Sequence, residues 1–145
     1  MPNAEKDIFN LMLSVRHRLS RPFEDCFRGE FTSLELNVLC ALCAVGPLTA
    51  TELAAALHIP RQQVSRTAER LYERGCIVRT GCPEDRRKLL ISVSAGTAER
   101  IRACGKKIAL EVCSALGASD EEYVRFLLAA EAVSRALARM PQKTQ

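Results

Sequence analysis

Between Thr49 and Val93 the chain switches from two short helical patterns to a pair of strands, and this order is the strongest constraint on its fold. Thr49-Ala50-Thr51-Glu52 reads as a capping box that opens a helix running to about Leu57. His58-Ile59 makes a short turn, and Pro60 suits the first turn of the next helix, where its missing N–H costs nothing. That helix runs to Arg74 and stops at Gly75. Cys76–Thr80 and Lys88–Val93 then read as strands joined by the polar turn 81–87, a β-hairpin. Two helices, a tight turn and a hairpin make a winged helix-turn-helix. In its second helix Val64, Ala68 and Leu71 fall on one side at 4- and 3-residue steps. Arg61, Gln62, Ser65, Arg66, Glu69 and Arg70 lie mostly on the other, with Gln63 at the edge.

The flanks are helical. Ile8, Leu11, Met12, Val15 and Leu19 recur at helical spacing from about Ala4 to Asp25, widened by Phe9 and Leu13, and Pro22 ends or bends this helix. Thr32-Ser33-Leu34-Glu35 is a capping box for a helix that Gly46-Pro47 stops near Val45. Ser94 caps a long helix from Ala95 to about Leu116, with Ile101, Cys104, Ile108 and Val112 in register. Ser119–Glu122 is a further capping box, and its helix carries Val124, Leu127, Leu128, Ala132, Val133, Ala136 and Leu137, extended by Tyr123 and Phe126. The first and last helices hold more apolar surface than a monomer of 145 residues readily covers. A second copy related by a two-fold axis solves that burial problem. The expected architecture is therefore mainly α with a small β-hairpin wing. A single domain spans 1–145, its winged-helix part at about 33–94 and dimerisation helices at about 4–27 and 95–140.

Charge is unevenly placed. The net charge is +4, and residues 60–88 alone hold eight basic against four acidic side chains, so the remainder is balanced. A concentrated basic stretch is the electrostatic footprint of a polyanionic partner. No apolar run approaches the ~20 residues that span a bilayer. The N-terminus lacks a signal-peptide pattern, which points to a cytoplasmic protein. Seven cysteines, an odd number in a chain without an export signal, argue against a disulfide framework. Cys40 and Cys43 form a lone CxxC in an apolar stripe, and with only His17 and His58 in the chain neither a metal site nor a cofactor is indicated. The chain has no phosphate-cradling glycine loop and no nucleophile–His–acid set, so an enzyme is disfavoured.

The chemistry on the helix at 60–74 fits duplex DNA. Arg makes paired contacts with guanine and Gln with adenine in the major groove. Arg86 and Arg87 at the hairpin tip suit the narrow, most negative minor groove, with Asp85 orienting one of them. Thr49 and Thr51 stand at a helix N-terminus, where N–H groups and the dipole favour a phosphate. The candidate DNA contacts are Thr49, Thr51, Arg61, Gln62, Gln63, Ser65, Arg66, Arg70, Arg86 and Arg87. The rival is a winged-helix protein-interaction module, on which Leu or aromatic anchors are expected instead. Cys82, near Arg79 and Arg86, meets the sequence conditions for a redox-sensing thiol. His17, beside Arg16 and Arg18, is a candidate for a small-molecule effector cleft.

The stretch GPLTATELAAALHIPRQQVSRTAERLYERGCIVRTGCPEDRRKLLISVS closely resembles the MarR family of bacterial regulators, most strongly over Leu34–Ser94. TAERLYERG at 67–75 resembles the family's L-x-x-L-x-x-R-G pattern, with its second Leu, Arg and Gly at Leu71, Arg74 and Gly75 and with Thr67 in an apolar slot, and EDRR matches its wing pattern D-x-R. Ile59-Pro60 stands where the family usually places a Ser or Thr cap, and the link Ser94-Ala95-Gly96 is a residue shorter than usual. The resemblance implies a triangular homodimer with terminal helices at the interface, usually a repressor. Each reading helix and wing would serve one half-site of a near-palindromic operator. DNA contacts would fall on Gln62, Gln63, Ser65 and Arg66, and on Arg86 or Arg87 in the wing. It also implies release by a small phenolic or lipophilic ligand, an oxidant or a metal.

Overall fold

A computed structural model describes residues 3–117 and 119–141. The elements run α1 (Ala4–Val15), a π-helical turn (Arg16–Ser20), α2 (Arg21–Asp25), α3 (Ser33–Val45), α4 (Ala50–Leu57), α5 (Arg61–Glu73), β1 (Ile77–Gly81), β2 (Leu89–Val93), α6 (Ala95–Ala115) and α7 (Asp120–Ala138). The expected class holds: mainly α, with one antiparallel hairpin. Contacts group the chain into two compact units, Met1–Gly105 and Lys106–Gln145.

The first helical stretch reaches Asp25 through a feature that periodicity does not reveal. Pro22 has no N–H to give to a carbonyl four residues back. Just ahead of it the helix widens, and the Arg21 N–H bonds to the Arg16 carbonyl, five residues back. Pro22 therefore sits in the first turn of α2 without ending the helix. Arg16 spans the wide turn, with one guanidinium nitrogen 3.0 Å from both carboxylate oxygens of Glu24.

α3 begins at the expected capping box. Thr32 Oγ1 accepts from the Glu35 N–H at 3.1 Å, and the Glu35 carboxylate accepts from the Thr32 N–H at 3.0 Å. At α4 and α7 only the forward bond of the expected boxes is found, from the Glu52 N–H to Thr49 and from the Glu122 N–H to Ser119. One face of α3 supplies Leu36, Val38, Leu39 and Leu42 to the core, with Leu53 of α4 and Val64, Ala68 and Leu71 of α5. Phe27, Cys76, Ile77, Ile91, Ala98, Ile101 and Cys104 complete it. Burying a side chain such as Leu39 or Leu71 contributes about 1.5–3 kcal/mol. Thr67, the polar residue in an apolar slot, is fully buried but donates to the Gln63 carbonyl at 2.8 Å.

Two turns set the geometry of the helix-turn-helix unit. After α4, His58 takes the left-handed conformation (φ 55°) that glycine adopts most easily, and the chain reverses into α5 within three residues. Pro60 caps α5 with no side-chain bond, so the missing Ser or Thr cap is not replaced by another side chain. After α5, Gly75 at φ 72° closes a Schellman turn, with the Cys76 N–H on the Leu71 carbonyl at 2.9 Å and the Gly75 N–H on Tyr72 at 3.0 Å. β1 then pairs with β2 from Ile77↔Val93 to Gly81↔Leu89, one residue later at each start than expected. Leu48, ahead of α4, exchanges both backbone hydrogen bonds with Ile91 (3.1 and 2.8 Å), which roots the wing on the helical part.

The cysteines of α3, Cys40 and Cys43, are half-buried. Burial, and secondarily Cys43, pushes the Cys40 thiol up to about 11, and burial also raises Cys43. Among the described residues no cluster of metal-ligating side chains forms. None of the described helices is long and apolar enough to cross a membrane.

Two ion-pair systems brace the unit. Glu35, with 5% of its side chain exposed, takes Arg70 Nε at 3.5 Å and Arg74 at 3.3 Å. Arg74 also donates to the Glu30 carbonyl at 2.8 Å and lies 4.8 Å over the Phe31 ring. Arg100 of α6 makes two 2.6 Å bonds to the Glu30 carboxylate. That contact holds the Glu30 carboxyl below its ordinary value of 4.5. Glu35→Ala should lower stability by about 2 kcal/mol in urea unfolding, because cap and clamp are lost together. Unchanged stability would mean that apolar packing alone holds α5. The Glu30–Arg100 pair should stabilise the fold at neutral pH and lose its effect as pH falls below 4.5 through the depressed value. The melting temperatures of the parent and Glu30→Gln should therefore differ at pH 7 and converge near pH 3. A constant gap would assign the difference to packing.

Candidate nucleic-acid interface

α4, α5 and the wing meet around a concavity of about 300 Å³. Thr49 and Thr51 from the start of α4, Arg61 and Ser65 from α5, and Arg87 from the wing line it together. Five expected contact residues, 38 positions apart at the extremes, thus share one surface. A second, shallower depression is lined by Arg61, Gln62, Ser65 and Arg66. Hence the first turns of α5 present Arg, Gln, Ser and Arg outward, while Val64 and Ala68 face the core. The Thr49 hydroxyl accepts from the Glu52 N–H, so Thr49 serves first as helix cap and is buried, whereas Thr51 is exposed.

The remaining candidates stand elsewhere. Gln63 is exposed at the edge of α5 and lines neither concavity. Arg70 turns toward Glu35 and also reaches Thr67 Oγ1 at 3.4 Å. Arg86 is exposed on the wing outside both surfaces. Asp85 acts on the wing backbone: its carboxylate accepts from the Arg87 N–H at 3.0 Å, and its carbonyl from the Lys88 N–H at 3.1 Å. It thereby orients Arg87 through the main chain.

The arginines divide into two groups. Arg70, Arg74 and Arg79 are engaged by Glu35, Glu35 and Glu69. Among the described residues Arg61, Arg66, Arg86 and Arg87 have no ion-pair partner. Unpaired guanidinium groups are the ones available to phosphates and base edges. Lys88, also on the concave surface, is absent from the contacts expected from sequence; its signal is membership of the basic stretch.

Cys82 is half-buried at the end of β1, its N–H on the Lys88 carbonyl at 3.1 Å. The Arg79 expected beside it is held instead by Glu69 and stacked on Tyr72. Local sequence proximity suggests a partner that the tertiary contact takes away. His17 lies exposed in the π-helical turn.

The same fold occurs in known proteins. The MarR family profile matches residues 31–88. The HTH-type transcriptional repressor NicR of Pseudomonas putida is 28% identical over 102 residues, which are 68% of this chain and 65% of the repressor. The match thus spans just under two thirds of that relative. RV1404 from Mycobacterium tuberculosis superposes with a TM-score of 0.75 at 18% identity, covering 99% of both chains. A mutant MarR from Escherichia coli complexed with operator DNA superposes with a TM-score of 0.61 at 20% identity, over 90% of this chain and 96% of that one. These two likenesses establish the fold. Over residues 31–88 the chain is similar to the MarR family, and its fold is that of the winged helix-turn-helix proteins on which it superposes.

Proposed function

We propose that this protein is a homodimeric, sequence-specific repressor that reads a near-palindromic operator with α5 and the wing. The observation that carries the reading is the concave surface on which Thr51, Arg61, Ser65, Arg87 and Lys88 converge, flanked by unpaired Arg66. The first turns of α5 enter the major groove, with Arg61, Gln62, Ser65 and Arg66 toward the bases. Arg86 and Arg87 follow the wing toward the minor groove. The start of α4 meets a phosphate through its N–H groups. A protein-interaction helix would expose apolar anchors in these positions; α5 exposes Arg, Gln and Ser.

Dimerisation rests on the terminal helices. Neither α1 nor α7 has a buried residue. Phe9 is 54% exposed and Leu13 58%, while on α7 Leu128 is 60% exposed and Leu137 56%. Helices with such faces are stable in water when another surface covers them. A two-fold copy places two reading helices about one helical turn of DNA apart. Release by a small effector belongs to the same reading, with His17 on the π-helical turn as a candidate contact.

Selection of bound duplexes from a random library, under reducing conditions, tests the function directly. Enrichment of an inverted repeat with half-site centres about one helical turn apart is expected. Binding that is salt-sensitive but without sequence preference would favour the interaction module. On the selected operator, Arg66→Ala should weaken binding by about 1–3 kcal/mol, and an unchanged affinity would remove Arg66 from the reading set. Leu128→Glu combined with Leu137→Glu should convert a dimer to monomer in sedimentation equilibrium. A dimer that survives both changes would place the interface away from α7.

A further inference from the structure

Glu69 stands on the concave surface among cations that are expected to meet phosphates. An acid there repels DNA unless it performs another task. Its carboxylate accepts from Arg79 at 2.7 Å, and the same guanidinium lies 4.5 Å over the ring of Tyr72. Arg79 is held from both sides by α5, and only 25% of its side chain is exposed. It projects from the middle of β1, paired with Ile91, which is buried and bonded to Leu48.

We propose that Glu69 is a positioning residue for DNA recognition: through Arg79 it latches the wing to the reading helix and sets their relative angle. The proposal rests on the DNA-binding reading above. The covalent link between α5 and β1 is short, only Arg74, Gly75 and Cys76. A single turn of that kind still permits the hairpin to pivot. Glu69 lies six residues before Gly75, about 9 Å along the helix axis. The Leu48–Ile91 backbone bonds hold β2 beside α4, and the Glu69–Arg79 contact adds a fixed point on α5 itself, which removes the freedom left to β1. Helix and wing must touch neighbouring grooves at once, so their angle decides whether both sets of contacts form on one operator. The pair also neutralises Arg79, which keeps one cation of the surface from binding phosphate without regard to sequence.

The test compares Glu69→Gln, Arg79→Gln and the double variant on the selected operator and on a random duplex. Glu69→Gln adds one positive charge and Arg79→Gln removes one, while the double variant keeps the parental charge and lacks the latch. The ratio of operator to random affinity should fall about ten-fold in the double variant, comparable to one mismatched base pair. Its random-duplex affinity should stay at the parental level. Each single variant should show the same loss of ratio, because either removal opens the latch. A parental ratio in the double variant would overturn the proposal and leave the pair as a charge balance. Thermal melts establish that each variant is folded. If the double variant is not, Arg79→Lys decides: it retains charge but not the two-sided grip, and an undiminished ratio would likewise overturn the latch. No operator preference in the parent would instead refute the DNA reading itself.

Discussion

The buried carboxylate of Glu35 ties together two parts of the chain that are distant in sequence, residues 30–35 and 70–74. It caps the first turn of α3 by accepting from Thr32, and it accepts ion pairs from Arg70 and Arg74 near the end of α5. Arg74 continues to the Glu30 carbonyl and the Phe31 ring. A carboxylate taken out of water is costly unless its lone pairs are filled. Here one backbone N–H and two guanidinium groups fill them. The consequence is directional. With the end of α5 fastened to the start of α3, the opposite end of α5 projects with Arg61, Gln62, Ser65 and Arg66 outward. Apolar contacts at Val64, Ala68 and Leu71 supply adhesion, and the clamp adds a fixed point near the end of α5.

The same logic extends to the wing. Backbone bonds between Leu48 and Ile91 root β2 beside α4, and the Schellman turn at Gly75 roots β1 at the end of α5. Asp85 shapes the tip through the Arg87 N–H. Two of the four acidic residues in the basic stretch thus have internal tasks, Glu69 on Arg79 and Asp85 on the turn. What remains for a polyanion is a smaller set of unpaired cations than the sequence suggests. Formal charge counts arginines equally; the ion pairs distinguish those held by protein from those that face solvent.

Much of the fold was legible in local pattern. Thr32 and Ser119 marked helix starts because a short oxygen-bearing side chain beside orphan N–H groups is a local event. Gly75 marked a helix end for an equally local reason, since only a residue tolerant of positive φ closes that turn readily. The π-helical turn at Arg16–Ser20 escaped because apolar spacing reports a helical period and not the carbonyl that each N–H selects. Thr67 in an apolar slot looked like a departure from the family pattern, yet its hydroxyl is satisfied within its own helix.

The sequence by itself determined the element order, the winged helix-turn-helix class, the outward face of α5 and the concentration of positive charge at 60–88. Each of these depends on residues within a turn or two of one another, or on composition. Only the tertiary structure decided which cations are free. Arg70 is taken by Glu35, 35 positions away, and Arg79 by Glu69 across the helix–strand junction. It likewise brought Thr49, Arg61 and Arg87 to one surface. Ion pairs between elements depend on where side chains end in space, and that is set by packing and not by spacing along the chain.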